Sequence, residues 1–169
     1  LVSLVGHDDR TTTPPFLERA GVPQTIDDYL RDLEACPNAY FSDPIEPIEG
    51  VIDFITGLRE RGIKCAVVSS SSTANVVMAL NRMGMLRLFD AVVCSEMSGL
   101  LKPNPDPYLC ALDLLGIEAK SCVAFEDSPS GVVAAQTAGI YTIGFTGGSI
   151  VQDLPTADEI VSCWREARV

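Results

Sequence analysis

From residue 50 onward, short apolar runs alternate with amphipathic segments, and this alternation constrains the fold more than any other feature of the chain. GVIDFITGLRERG places Val51, Ile52, Ile55 and Leu58 on one stripe, the pattern of a helix with one buried face. CAVVSS follows, then ANVVMALNRMG, with Gly84 as its C-terminal stop. DAVVCSE, a proline-rich loop, PYLCALDLLG ending at Gly116, CVAFED, GVVAAQTAG and YTIGF continue the series. The apolar runs are short, continuous and rich in β-branched residues, as strands buried on both faces must be. Strands of that kind separated by helices imply an α/β fold. Its parallel sheet carries helices on both faces, joined by right-handed crossovers. The tail DEIVSCWREARV reads as a short strand, a helix, or both.

Residues 1–44 differ in character. They are helical and loop-rich, and TIDDYLRDLEA puts Ile26, Tyr29, Leu30 and Leu33 on one face behind Thr25 as N-cap. SDPIEPIEG, whose prolines oppose regular structure, reads as the link to the alternating region.

Charge narrows the function. The chain of 169 residues carries a net charge of −11, against the basic surface that nucleic acids require. Small anionic substrates remain open, because a local site can be positive on an acidic protein. Six cysteines contain no C-x-x-C pair, and the single histidine, His7, does not complete a zinc pattern. Reduced, buried thiols of a cytoplasmic protein are the simpler reading. No apolar run approaches the ~18 residues of a membrane span, and no signal peptide is visible.

In parallel sheets, ligands bind beyond the carboxyl ends of the strands. Three of these ends are unusually polar: Ser69 to Ser72, Glu96 onward, and Glu126-Asp127. In VVSSSSTAN, Ser72 or Thr73 can cap the following helix, which is the simpler reading of that segment alone. Ser69 and the amide of Ser70 can also receive an oxyanion at a helix start. In GLLKPNPDPY, three prolines hold Lys102 in a constrained loop. It is either a solvated lysine or a pre-positioned ammonium facing a phosphoryl group. Glu126 and Asp127 end an apolar strand. They can cap the next helix in competition with Ser128, which precedes Pro129, or they can hold Mg²⁺, a cation that takes a few carboxylates and several waters. Capping accounts poorly for a pair of acids, which favours the metal.

In this order, Ser69, Lys102 and Glu126-Asp127, with GLLKPNPDPY and EDSPSGVVAAQTAG around them, resemble the haloacid dehalogenase-like hydrolase superfamily. The closest likeness is to its beta-phosphoglucomutase-like phosphatase branch. The resemblance runs from about residue 44 to the C-terminus. It implies a Rossmann-like core over residues 45–169 and part of a helical cap over residues 1–44. It also implies that Ser69 and Ser70 bind a phosphoryl group, that Lys102 stabilises it, and that Asp127, helped by Glu126, holds Mg²⁺. The expected activity is phosphoryl transfer through a phosphoaspartate, on a small phosphorylated metabolite such as a sugar phosphate.

One part of the family pattern is missing. The family's nucleophile lies in an Asp-x-Asp motif on a first strand that sits between the strands ending here at Ser69 and Asp127. Asp8 and Asp9 have the wrong spacing and no buried strand before them, so neither is assigned that role. The expectation is a core without its first strand, which would belong to residues before Leu1. The fragment alone would then be inactive. On that reading the first residues resemble the second half of the cap, Arg10 is a candidate substrate contact and His7 a surface residue. A phosphosugar mutase shares the same core residues. A 2-haloacid dehalogenase shares the fold without needing Mg²⁺. A binding module that has lost the nucleophile strand would not need to keep Lys102, Glu126 and Asp127 together. Oligomeric state is not legible in the sequence.

Overall fold

In a computed structural model of the chain, the described residues are 44–168, 23–35 and the isolated positions 14, 18 and 21. The first helix, α1 (Ile26–Ala35), lies where TIDDYLRDLEA predicts it. Thr25 Oγ1 accepts the amide of Asp28 at 3.2 Å, so the expected N-cap forms. His7, Asp8, Asp9 and Arg10 lie outside the described residues.

The alternating region folds as its periodicity requires. Its elements are α2 (Val51–Glu60), β1 (Ala66–Val68), α3 (Thr73–Arg82), β2 (Ala91–Val93), α4 (Asp106–Leu115), β3 (Val123–Glu126), α5 (Pro129–Thr137), β4 (Tyr141–Phe145) and β5 (Glu159–Val161). The tail therefore contributes a strand, and no helix follows it among the described residues. Gly84 and Gly116, at φ +69° and +64°, make the left-handed turns that end α3 and α4.

Among the described residues, every strand pairing is parallel. The described strands form two sheets, β2 beside β1 and then β3, β4 and β5 in order. Side chains alternate across them. Val67 of β1 packs with Val51 and Ile55 of α2 and Val76 and Leu80 of α3. Its neighbour Val68 packs on the other face with Tyr108 of α4 and Ala134 and Ala135 of α5. Helices thus cover both faces. Burying a Val or Ile in such layers stabilises the fold by about 1.5–3 kcal/mol each, and Val93, Val132 and Ile143 are wholly buried.

The sheet is divided where the expected first strand would lie. Among the described residues, β1 and β3 each have a strand partner on one side only. Their other edges, Ala66–Val68 and Val123–Phe125, line a cavity of about 670 Å³. Val51, Phe54, Ile55 and Leu58 of α2 close one side of it, and Tyr108, Ala111, Leu112 and Leu115 of α4 close another. Trp164 also lines this space, stacked on Phe145 at 4.5 Å and against Phe54 and Phe125 at 5.2 Å. Its indole Nε1 is buried with no hydrogen-bond partner among the described residues. Such a donor usually finds an acceptor.

Candidate active site

The polar strand ends meet at the carboxyl edge of the sheets. At the end of β1, the Ser69 amide donates to Val93 O at 2.9 Å and carries the pairing with β2 one residue further. Ser69 Oγ accepts the amide of Ser71 at 3.1 Å, which leaves its own proton free for another acceptor. Ser70 Oγ is buried and has no partner among the described residues.

Ser72 is the N-cap of α3, its Oγ accepting the amide of Asn75. Glu96, from the turn that follows β2, reaches the start of the same helix. Its carboxylate accepts the Thr73 amide at 3.0 and 3.2 Å and the Thr73 hydroxyl at 2.9 Å. Backbone hydrogen bonding at Glu96 itself, with the Thr73 contacts, holds its carboxyl below the usual range. The anion-binding position at the start of α3 is therefore filled by a protein carboxylate. What remains at the end of β1 is the Ser69-Ser70 corner.

Lys102 is buried between the ends of β1 and β3. Its Nζ donates to Val68 O, at the end of β1, at 2.9 Å and to Glu126 Oε1, at the end of β3, at 2.5 Å. The solvated-lysine reading is thereby removed: Lys102 is 8% and Glu126 6% exposed. An ammonium has three protons, and these two bonds use two of them.

The two acids that end β3 have different surroundings. Ser128 caps α5 by accepting the amide of Gly131 at 3.1 Å, with Pro129 in the first turn, so the capping reading of the acids falls away. Glu126 turns inward to Lys102 and to the hydroxyl of Tyr108, which donates to the same Oε1. Burial and the adjacent Glu126 carboxylate push the Tyr108 hydroxyl well above its usual value, so it stays protonated as a donor. Asp127 is exposed at the strand end, and Gln152 Nε2 donates to its carbonyl at 3.2 Å. Among the described residues, no cluster of three or more His, Cys, Asp or Glu side chains is arranged to hold a metal.

Two residues of this arrangement were not singled out by the sequence reading. Tyr108 lies six positions after Lys102, in the first turn of α4. Gly131 lies in the first turn of α5, where a Cβ would sit 1.9 Å from Glu126 Oε2. The glycine leaves room for the carboxylate. The only sequence signal for either is position within KPNPDPY and EDSPSG.

Comparison with known proteins gives this geometry a lineage. A family model described as haloacid dehalogenase-like hydrolase matches residues 1–145. A phosphorylated carbohydrates phosphatase of Thermotoga maritima is 27% identical over 140 residues, covering 83% of this chain and 65% of the relative. Validoxylamine A 7'-phosphate phosphatase of Streptomyces hygroscopicus subsp. limoneus is 29% identical over 121 residues, covering 72% of this chain and 57% of the relative. The chain thus spans less than two thirds of the length of both. The phosphate-bound crystal structure of CbbY from Rhodobacter sphaeroides superposes with a TM-score of 0.75 at 29% identity, covering 86% of this chain and 67% of that one. A Clostridium difficile beta-phosphoglucomutase, at 22% identity, shares the fold with a TM-score of 0.83, covering 99% of this chain and 76% of that one. With the family model matching most of its length and its polar residues gathered at one sheet edge, the chain belongs to the haloacid dehalogenase-like hydrolases.

Proposed function

We propose that this chain forms most of a Mg²⁺-dependent phosphatase acting on a small phosphorylated carbohydrate. The observation that carries the reading is the bridge made by Lys102. One ammonium ties the end of β1 to the end of β3, with Ser69 beside the first and Asp127 beside the second. Two of its protons meet protein acceptors, and the third would meet a phosphoryl oxygen. Ser69 would donate its free hydroxyl proton to the same group, and the Ser70 corner would lie beside it. Transfer of a phosphoryl group is largely a matter of positioning and charge neutralisation, which these residues can supply. Arg10 is retained as a candidate substrate contact from the cap, residues 1–44.

Asp127 offers an exposed, hard carboxylate oxygen, the kind of donor Mg²⁺ takes together with waters and substrate phosphate. Glu126 would contribute through the oxygen not engaged by Lys102. Bound there, the cation would neutralise charge on the phosphoryl group. The attacking aspartate would come from a strand lying in the slot between β1 and β3. Its support, among the described residues, is the pair of edges partnered on one side only, the cavity of about 670 Å³ and the Trp164 Nε1 lining it without a hydrogen-bond partner. A strand offers backbone carbonyls to such a donor and amides and carbonyls to both edges. The substrate class follows the two relatives named for phosphorylated compounds. No described helix is long and apolar enough to cross a membrane. The free cysteines among the described residues suit a reducing, cytoplasmic setting.

The test uses a polypeptide that adds, before Leu1, an apolar strand ending in Asp-x-Asp. It should hydrolyse p-nitrophenyl phosphate and sugar phosphates with Mg²⁺ and lose that activity in excess EDTA. Full activity in EDTA, or none with Mg²⁺, would overturn the reading.

A further inference from the structure

We propose that Tyr108 is a positioning residue for phosphoryl transfer: it holds Glu126 so that the carboxylate, in turn, aims Lys102. The proposal rests on the role given to Lys102 above.

Buried tyrosines commonly find some acceptor, so the hydrogen bond alone says little. Its acceptor says more. The Tyr108 hydroxyl and the Lys102 ammonium share one oxygen, Glu126 Oε1. The Tyr108 ring also lies 5.2 Å from Lys102 Nζ, within the range of a cation–π contact. On its other side, the Glu126 carboxylate rests where a Cβ on Gly131 would be. One tyrosine therefore touches both members of a buried ion pair, and Gly131 leaves space for one particular placement of it.

A carboxylate with a single strong donor can pivot about its last bond. Near Asp127, a divalent cation would draw both of its oxygens. The Tyr108 hydroxyl opposes that swing by keeping Oε1 on the lysine side. With Oε1 and Val68 O both fixed, the third proton of Lys102 has a set direction. Removing the hydroxyl should leave the ammonium in place but loosen its aim. The chemical step should suffer more than substrate binding.

Tyr108→Phe tests this, because the ring and its packing remain. In the strand-completed polypeptide, kcat on p-nitrophenyl phosphate should fall about tenfold, the scale of one hydrogen bond to a charged group, while KM stays within about twofold. Glu126→Gln should lower kcat further, and the double variant should fall no lower than Glu126→Gln, since Tyr108 acts through that residue. Wild-type kcat in Tyr108→Phe, a change confined to KM, or multiplicative losses in the double variant would overturn the proposal.

A second measurement does not need turnover. In protein labelled with ¹⁵N-lysine, the Lys102 ammonium held by two acceptors should give a slowly exchanging NMR cross-peak. That peak should broaden and exchange faster with water in Tyr108→Phe while the backbone amide spectrum is kept. Its persistence unchanged would overturn the positioning role. If the wild-type polypeptide proves inactive, the phosphatase reading fails and this measurement alone decides the role of Tyr108.

Discussion

Gly131→Ala gives a sharp test of the carboxylate cradle, because two effects of known sign oppose each other there. Within a helix, alanine is favoured over glycine by up to about 1 kcal/mol, so the substitution should stabilise α5 if nothing else changed. The new Cβ, however, would lie 1.9 Å from Glu126 Oε2, 2.2 Å from its Cδ and 2.6 Å from Oε1. The carboxylate must leave. A flexible side-chain end can often move at little cost, but this one is 6% exposed and hydrogen-bonded to Lys102 and Tyr108. Moving it strands a buried ammonium. Breaking a buried ion pair typically costs about 3–5 kcal/mol, so the net loss should be about 2–4 kcal/mol. For a chain of this size that lowers Tm by roughly 5–15 °C. Gly57 in α2 is the internal control, because a Cβ there meets nothing within 4 Å. Thermal and urea unfolding of the strand-completed protein, followed by circular dichroism, should show Gly57→Ala neutral or stabilising and Gly131→Ala clearly destabilised. If both substitutions stabilise alike, Glu126 is not held as described.

Further outcomes follow from the same geometry. Lys102→Ala should lower turnover of the strand-completed enzyme by roughly 10²–10³-fold with no rescue by added Mg²⁺. Asp127→Asn should weaken apparent Mg²⁺ affinity and recover part of the rate at high Mg²⁺; parallel shifts in the two magnesium titrations would defeat these assignments. Residues 1–169 alone should lack a cooperative thermal transition, because the inner edges of β1 and β3 and Trp164 Nε1 have no partner among the described residues; a sharp transition from a monodisperse monomer would remove the need for a strand in the slot. The Cys65 amide, at 2.9 Å, and the Arg59 guanidinium, at 2.8 Å, both donate to the Asp90 carboxylate and hold it below its ordinary value of 3.8. A depressed carboxyl contributes stability above that value and loses it as pH falls through the lower folded one. Urea midpoints between pH 5 and pH 2 should therefore drop less steeply in Asp90→Asn than in wild type; equal slopes would show that Asp90 contributes nothing to the acid limb.

The sequence by itself determined the elements and their order. Period and composition are local properties, and they placed α2 to α5 and β1 to β4 within a few residues, with Gly84 and Gly116 as stops. Because parallel strands all end on the same side, they also placed Ser69 and Glu126-Asp127 at one edge; Lys102 joined them only through the family resemblance. Which acid faces which partner was not legible. Glu126 and Asp127 are adjacent and alike in type, yet one is buried on Lys102 and Tyr108 and the other is exposed. That choice depends on α4 and α5 converging behind β3, and on the missing side chain of Gly131. The filling of the α3 start by Glu96 likewise needed β2 to end beside it. The gap between β1 and β3 was expected only through the family resemblance, and the cavity it leaves is a tertiary fact. A strand's own residues show that it will be buried, but only its neighbours decide whether both of its edges are hydrogen-bonded.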